Sequence, residues 1–115
     1  MQSFKIDEEL VKLLQNSKNR SLAEDALQFT FDQLECNHLQ IEGYRWQALA
    51  NHVVTMVDRS VTGEVFMDVD IALFYEVSAH SIEMADEIVH HIGNLDDREK
   101  FLLSVHFEIA KVYPD

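Results

Sequence analysis

Proline occurs once, at position 114, and glycine only at 43, 63 and 93. A chain with so few breaks cannot make the frequent tight turns that sheets need. The stretches between the breaks are rich in Leu, Ala, Glu, Lys and Gln, which favour helix. The expectation is an all-α fold. At 115 residues it is one domain, large enough to bury a core without disulfides or metals. Apolar periodicity divides it into five helices. The first runs from about Asp7 to Ser17, with Asp7 as N-cap and Leu10, Val11 and Leu14 facing inward. The second starts at Ser21, whose spacing to Glu24 fits a capping box. Its stripe is Ala23, Ala26, Leu27, Thr30, Phe31 and Leu34. Ile41-Glu42-Gly43 breaks the pattern. The third spans about Tyr44 to Ser60, with Trp46, Leu49, Ala50, Val53, Met56 and Val57 inside and Gly63 beyond its end.

The fourth helix is expected from roughly Asp70 to Ile92. Ile71, Tyr75, Ser78, Ile82, Ala85, Val89 and Ile92 recur on it at three- and four-residue steps. Gly93 suits its C-terminal end, and Asp96 with Glu99 opens the fifth. Phe101, Leu102, Val105, Ile109 and Val112 are expected to face inward on that last helix, antiparallel to the fourth. The result is a compact helical bundle.

Nine Lys and Arg against twenty-one Asp and Glu give a net charge of −12, a surface that phosphate backbones repel, so direct nucleic-acid binding is not expected. The N-terminus is acidic and lacks the apolar core of a signal peptide. No apolar run approaches membrane-spanning length. These features suggest a cytoplasmic protein, and the lone Cys36 reads as a buried reduced thiol.

Six histidines stand at 38, 52, 80, 90, 91 and 106. Helical spacing places Arg45, Leu49, His52, Met56 and Arg59 on one stripe, each arginine two turns from His52. His106 lies among Leu102, Leu103, Ile109 and Ala110, so its ring should be half-buried. The stretch Leu49-Ala50-Asn51-His52-Val53-Val54-Thr55-Met56-Val57-Asp58-Arg59 resembles the L-x-x-H-hydrophobic-x-x-hydrophobic-hydrophobic-x-R segment of the PTS regulation domain, or PRD. Glu99-Lys100-Phe101-Leu102-Leu103-Ser104-Val105-His106-Phe107 resembles that domain's second signature, an acidic residue opening a helix with a histidine about two turns later. Asn51 departs from the Asp that family members often carry before the first histidine. The likeness covers about residues 21–113, with residues 1–20 as an added N-terminal helix on a single domain of 1–115.

The resemblance implies a compact five-helix module of the kind found in transcriptional antiterminators and activators. It implies phospho-acceptor roles for His52 and His106, with Arg59 and Arg45 supporting the phosphate. It implies HPr or enzyme IIB of the sugar phosphotransferase system as donor, and a homodimer whose equilibrium phosphorylation shifts. A stand-alone regulator of carbohydrate or sugar-acid catabolism, with no catalytic machinery and no cofactor, is the resulting expectation.

Two rivals remain open. One is an interaction module of the same fold whose histidines are not phosphorylated. The other is a metal-dependent helical enzyme, because Glu35 to His38 and Glu87 to His90 have the Glu-x-x-His spacing of di-iron bundles. Glu76, His80, Glu83, Glu87 and His91 form a further stripe, best read as a solvated face. Phe66 and Met67, in the loop before the fourth helix, are candidate interface residues.

Overall fold

Three of the five helices begin at side chains that satisfy the first turn's N–H groups, as the computed structural model, which describes residues 6–65 and 69–114, makes plain. Asp7 accepts from the Leu10 N–H and opens α1 (Glu8–Asn16). Asn19, rather than Ser21, caps α2 (Arg20–Cys36) by accepting from the Leu22 N–H. Asn19 wins because it stands one residue before the helix, whereas Ser21 is already inside it and Glu24 pairs with Arg20 at 2.9 Å. The helix α3 (Gly43–Thr62) ends at Gly63, whose φ of 78° lets its N–H turn back to the Arg59 carbonyl.

The fourth helix is shorter than its sequence pattern suggests. Asp70 caps only a 3₁₀ turn, Ile71–Phe74, and α4 (Ala79–Ile92) starts after Ser78. The reason is tertiary. Glu108 accepts from the Ser78 N–H at 3.1 Å and from the Ser78 and Ser81 hydroxyls, both at 2.9 Å. Lys111 donates to the Ser78 hydroxyl at 2.9 Å. These bonds hold Ser78 in an extended conformation and force a helix start there. Ile71 and Tyr75, read as part of an inner seam, are exposed as a result. Phe66 and Met67 fall outside the described residues.

The last helix, α5 (Glu99–Val112), also departs from expectation. Its buried line is Glu99, Leu103, Ser104, Phe107 and Ala110. Phe101, Leu102 and Val105 are only half-buried, and Ile109 and Val112 are exposed. Asp96 does not cap α5 by its side chain but accepts from the Arg98 N–H and guanidinium. Cys36 is exposed rather than buried, because the buried line of α2 ends at Leu34 and Cys36 points away from it.

Polar contacts fix how the helices run. Asp25 meets His91 and Asn37 meets His80, so α2 and α4 are antiparallel. Ser78 meets Glu108 and Lys111 at the far end of α5, so α4 and α5 are antiparallel too. Asp58 of α3 accepts from the Lys18 N–H and the Ser17 hydroxyl, which docks the end of α1. One apolar core takes residues from all five helices, from Leu10 and Leu14 through Leu27, Leu49, Met56 and Ile88 to Phe107. None of the described helices is long and apolar enough to cross a membrane.

Leu27 is fully buried at the centre of α2, so shortening it leaves a cavity that rigid helices close only in part. Leu27→Ala is expected to cost about 2–5 kcal/mol of stability, measured by urea unfolding. A loss below about 1 kcal/mol would contradict this packing.

Candidate functional site

The helices α3 and α5 lie antiparallel and touch through three rungs in one register. Arg45 donates to the Tyr113 carbonyl at 2.7 Å, His52 faces His106, and Arg59 grips Glu99. Successive rungs are two turns apart on both helices. Ser60 strengthens the closed end: its hydroxyl donates to the Gly93 carbonyl and its own carbonyl accepts from the Asn94 amide, both at 2.7 Å. That fixes the α4–α5 loop against the end of α3.

The lower rung is a bidentate ion pair. Arg59 Nε and Nη2 donate to the two Glu99 oxygens at 2.8 and 2.5 Å. Glu99 is fully buried. A carboxylate there is tolerable only because a planar guanidinium meets both oxygens.

In the middle rung, Nδ1 of His52 and Nε2 of His106 are 3.1 Å apart, a hydrogen bond whose donor depends on the tautomers. The rings meet edge-on, with centroids 5.2 Å apart and planes 67° apart. Both rings are half-buried. Burial, then His106, then the charge of Arg59 lower the pKa of His52 to about 4. Burial lowers that of His106 as well. Both imidazoles are therefore neutral at physiological pH. Both histidines line a surface recess. One recess, of about 490 Å³, is lined by Asn51, His52, Thr55, Arg59, Leu102, Val105 and His106, among others. The second, of about 310 Å³, is lined by His106 together with Ile41, Tyr44, Arg45, Ala48 and Ile109.

The sequence thus located both histidines and both arginines, and the structure brings all four to one seam. What it did not identify is Glu99 as the partner of Arg59. The heptad of Glu99, His106 and Tyr113, matching Arg45, His52 and Arg59, was the available signal.

The Glu-x-x-His residues do not converge. Glu35 and His38 are exposed at the end of α2, where His38 has a left-handed backbone with φ of 55°. Glu87 and His90 are exposed on α4. Among the described residues, the donors that gather are instead Asp86, His90 and Asp97, within 4.8 Å of one another. A cation already stands there: Lys100 Nζ is 3.0 Å from Asp97 and 3.7 Å from Asp86. The Glu76, His80, Glu83, Glu87 and His91 stripe is exposed. Within it His80 bonds Asn37, and His91 bonds Asp25 while stacking on Phe29 at 4.0 Å.

No protein-family model matches the chain, and no curated protein matches it. A solved structure does: a PRD-containing transcription regulator from Lactobacillus casei ATCC 334 superposes with a TM-score of 0.90 at 31% identity. The match covers 96% of this chain and 98% of that one.

The depressed pKa of His52 sets a pH dependence. The folded chain resists protonation that the unfolded chain accepts at about 6.5. The stability from keeping this ring neutral is therefore complete above about pH 6.5 and is lost as the pH falls toward 4. A histidine-detected NMR titration should give His52 a midpoint near 4; a midpoint near 6.5 would contradict the buried pair.

Proposed function

This chain belongs to the PRD family of transcription regulators, and from that premise we propose that it is a regulatory module whose His52–His106 pair accepts a phosphoryl group. The observation that carries the reading is the pair itself. Two neutral imidazoles face one another between arginine rungs, and both residues line a surface recess. A neutral ring nitrogen with a lone pair is the nucleophile that phosphoryl transfer requires. A fully exposed, protonated histidine would be a poorer one.

The charge around the pair supports the same reading. A phosphoryl group adds about −1.5 to −2 charges. On a chain of net charge −12 that addition is tolerable only beside a cation. Arg59 borders the recess that both histidines line, and Arg45 borders a second recess that His106 also lines. Glu99 holds Arg59 at the seam in a fixed orientation. In this reading Arg59 is the principal phosphate support and Arg45 the secondary one.

The donor is a phosphorylated protein of the sugar phosphotransferase system, HPr or enzyme IIB, acting in the cytoplasm. The output is control of genes for carbohydrate or sugar-acid catabolism through a homodimer, not catalysis. The rim of the second recess suits such an output, because Tyr44 is 78% exposed and Ile109 40% exposed beside the histidines. Charge placed at the pair would change how that apolar rim meets a second copy.

Incubation of the full chain with phosphoenolpyruvate, enzyme I and HPr, or with phosphorylated enzyme IIB, tests the reading by intact mass at alkaline pH. The expected result is phosphoryl uptake by the native chain, and none by the variant with both His52→Ala and His106→Ala, whose helical circular dichroism persists. A native chain that stays unlabelled with every donor would contradict the function.

A further inference from the structure

The C-terminal end of α4 carries side chains that the histidine pair does not use. Asp86 and His90 stand one turn apart on α4, and Asp97 lies in the turn before α5. Each offers one ligand atom, and the three atoms lie within 4.8 Å of one another. Among the described residues no other trio of His, Cys, Asp or Glu gathers this closely. His90 Nδ1 and Asp86 Oδ1 are 3.3 Å apart. Two ligand atoms about 2 Å from a tetrahedral Zn²⁺ stand about 3.3 Å from each other, so this pair already has the spacing of one coordination edge.

Oδ1 of Asp86 is also an orphan. It is shielded from solvent, yet it accepts no hydrogen bond. Leaving a carboxylate oxygen in that state is costly. The nearest ammonium, that of Lys100, is 3.7 Å away, too far for a hydrogen bond. His90 Nδ1 meets the Asp86 backbone carbonyl at 2.8 Å rather than the carboxylate. Lys100 serves the cluster only on its Asp97 side, at 3.0 Å, and its ammonium also stands 5.4 Å from the centre of the Phe101 ring. A flexible lysine held this way can leave without exposing a buried charge.

We propose that Asp86, His90 and Asp97 form a binding site for one divalent transition cation of the Zn²⁺ class, with Lys100 as the side chain that the ion displaces.

The donor set decides the class of ion. One imidazole with two carboxylates suits Zn²⁺ and its neighbours, whereas Mg²⁺ and Ca²⁺ take oxygen donors. Two carboxylates balance the charge of the dication, and three protein ligands leave the fourth position to water. His90 and Asp97 are exposed, so the ion reaches them from solvent. Ligation through Nδ1 requires the ring proton to stand on Nε2, and the bond to the Asp86 carbonyl is given up. The bound ion ties the end of α4 to the turn that opens α5, two residues before the Glu99 that pairs with Arg59.

Isothermal titration of the untagged full chain with Zn²⁺ at neutral pH tests the site, and NMR of the ¹⁵N-labelled histidine rings shows which ring responds. Expected are saturation at one ion per native chain, with the His90 ring signals shifting first, and no competition from Mg²⁺ in large excess. His90→Ala and Asp97→Asn should each weaken binding by about tenfold or more. Lys100→Met should tighten it by about tenfold, because two exposed ion-pair contacts no longer have to be broken. His38→Ala and His80→Ala, at exposed positions outside the trio, should bind as the native chain does. Circular dichroism confirms that each variant is folded, and Lys100→Met with the ring signals decides the matter even if a ligand variant is not. A native chain that does not bind Zn²⁺ at millimolar concentration would overturn the proposal. Equal affinity of the native, His90→Ala and Asp97→Asn chains, or no tightening by Lys100→Met, would show an adventitious ion only and overturn it as well.

Discussion

The ion pair between Arg59 and Glu99 is the constraint on which the rest of the seam depends. Burying a carboxylate completely is costly, and even a well-paired buried ion pair adds little net stability over apolar residues of the same size. Its effect is on register. If α5 slid by one turn against α3, Glu99 would lose both hydrogen bonds while still buried, at a cost of about 3–5 kcal/mol. Alternative registers are thereby excluded. The bonds from Ser60 to Gly93 and Asn94 secure the same end through the backbone.

Register in turn decides the chemistry. With Arg59 and Glu99 locked, the positions two turns along must meet, and they are His52 and His106. Brought to 3.1 Å, each occupies one nitrogen of the other, and burial keeps both neutral. The pair is thus poised at the seam rather than hidden in the core. A phosphoryl group there would add charge between two helices that meet at the three rungs. That is a sensible location for a signal, since a local charge acts on the packing of whole elements.

Much of this was legible in the sequence, for local reasons. Asp7 and Gly63 end helices through bonds to residues within one turn, so neighbouring residues carry the information. The Arg45–His52–Arg59 stripe follows from helical geometry alone. What failed was decided at long range. The start of α4 depends on Glu108, 30 residues downstream of Ser78, which no local pattern at Ser78 reveals. The orientation of α5 was misjudged because its apolar residues occupy two strips. Leu103, Phe107 and Ala110 are buried, whereas Leu102, Val105 and Ile109 border the recesses around the histidines. The buried strip also contains a carboxylate, and amphipathicity assigns any carboxylate to water. Its partner, Arg59, is 40 residues away. Cys36 was misplaced because residue type was weighed above its angle on α2.

The central claim is that α3 and α5 hold two neutral imidazoles in a direct nitrogen-to-nitrogen hydrogen bond. The most direct measurement is the scalar coupling across that bond in ¹⁵N-labelled protein at neutral pH. The account predicts a resolved nitrogen–nitrogen coupling between His52 Nδ1 and His106 Nε2, with a single proton between them. Absence of that coupling in a chain otherwise folded, with each inward nitrogen bonded to water instead, would contradict it.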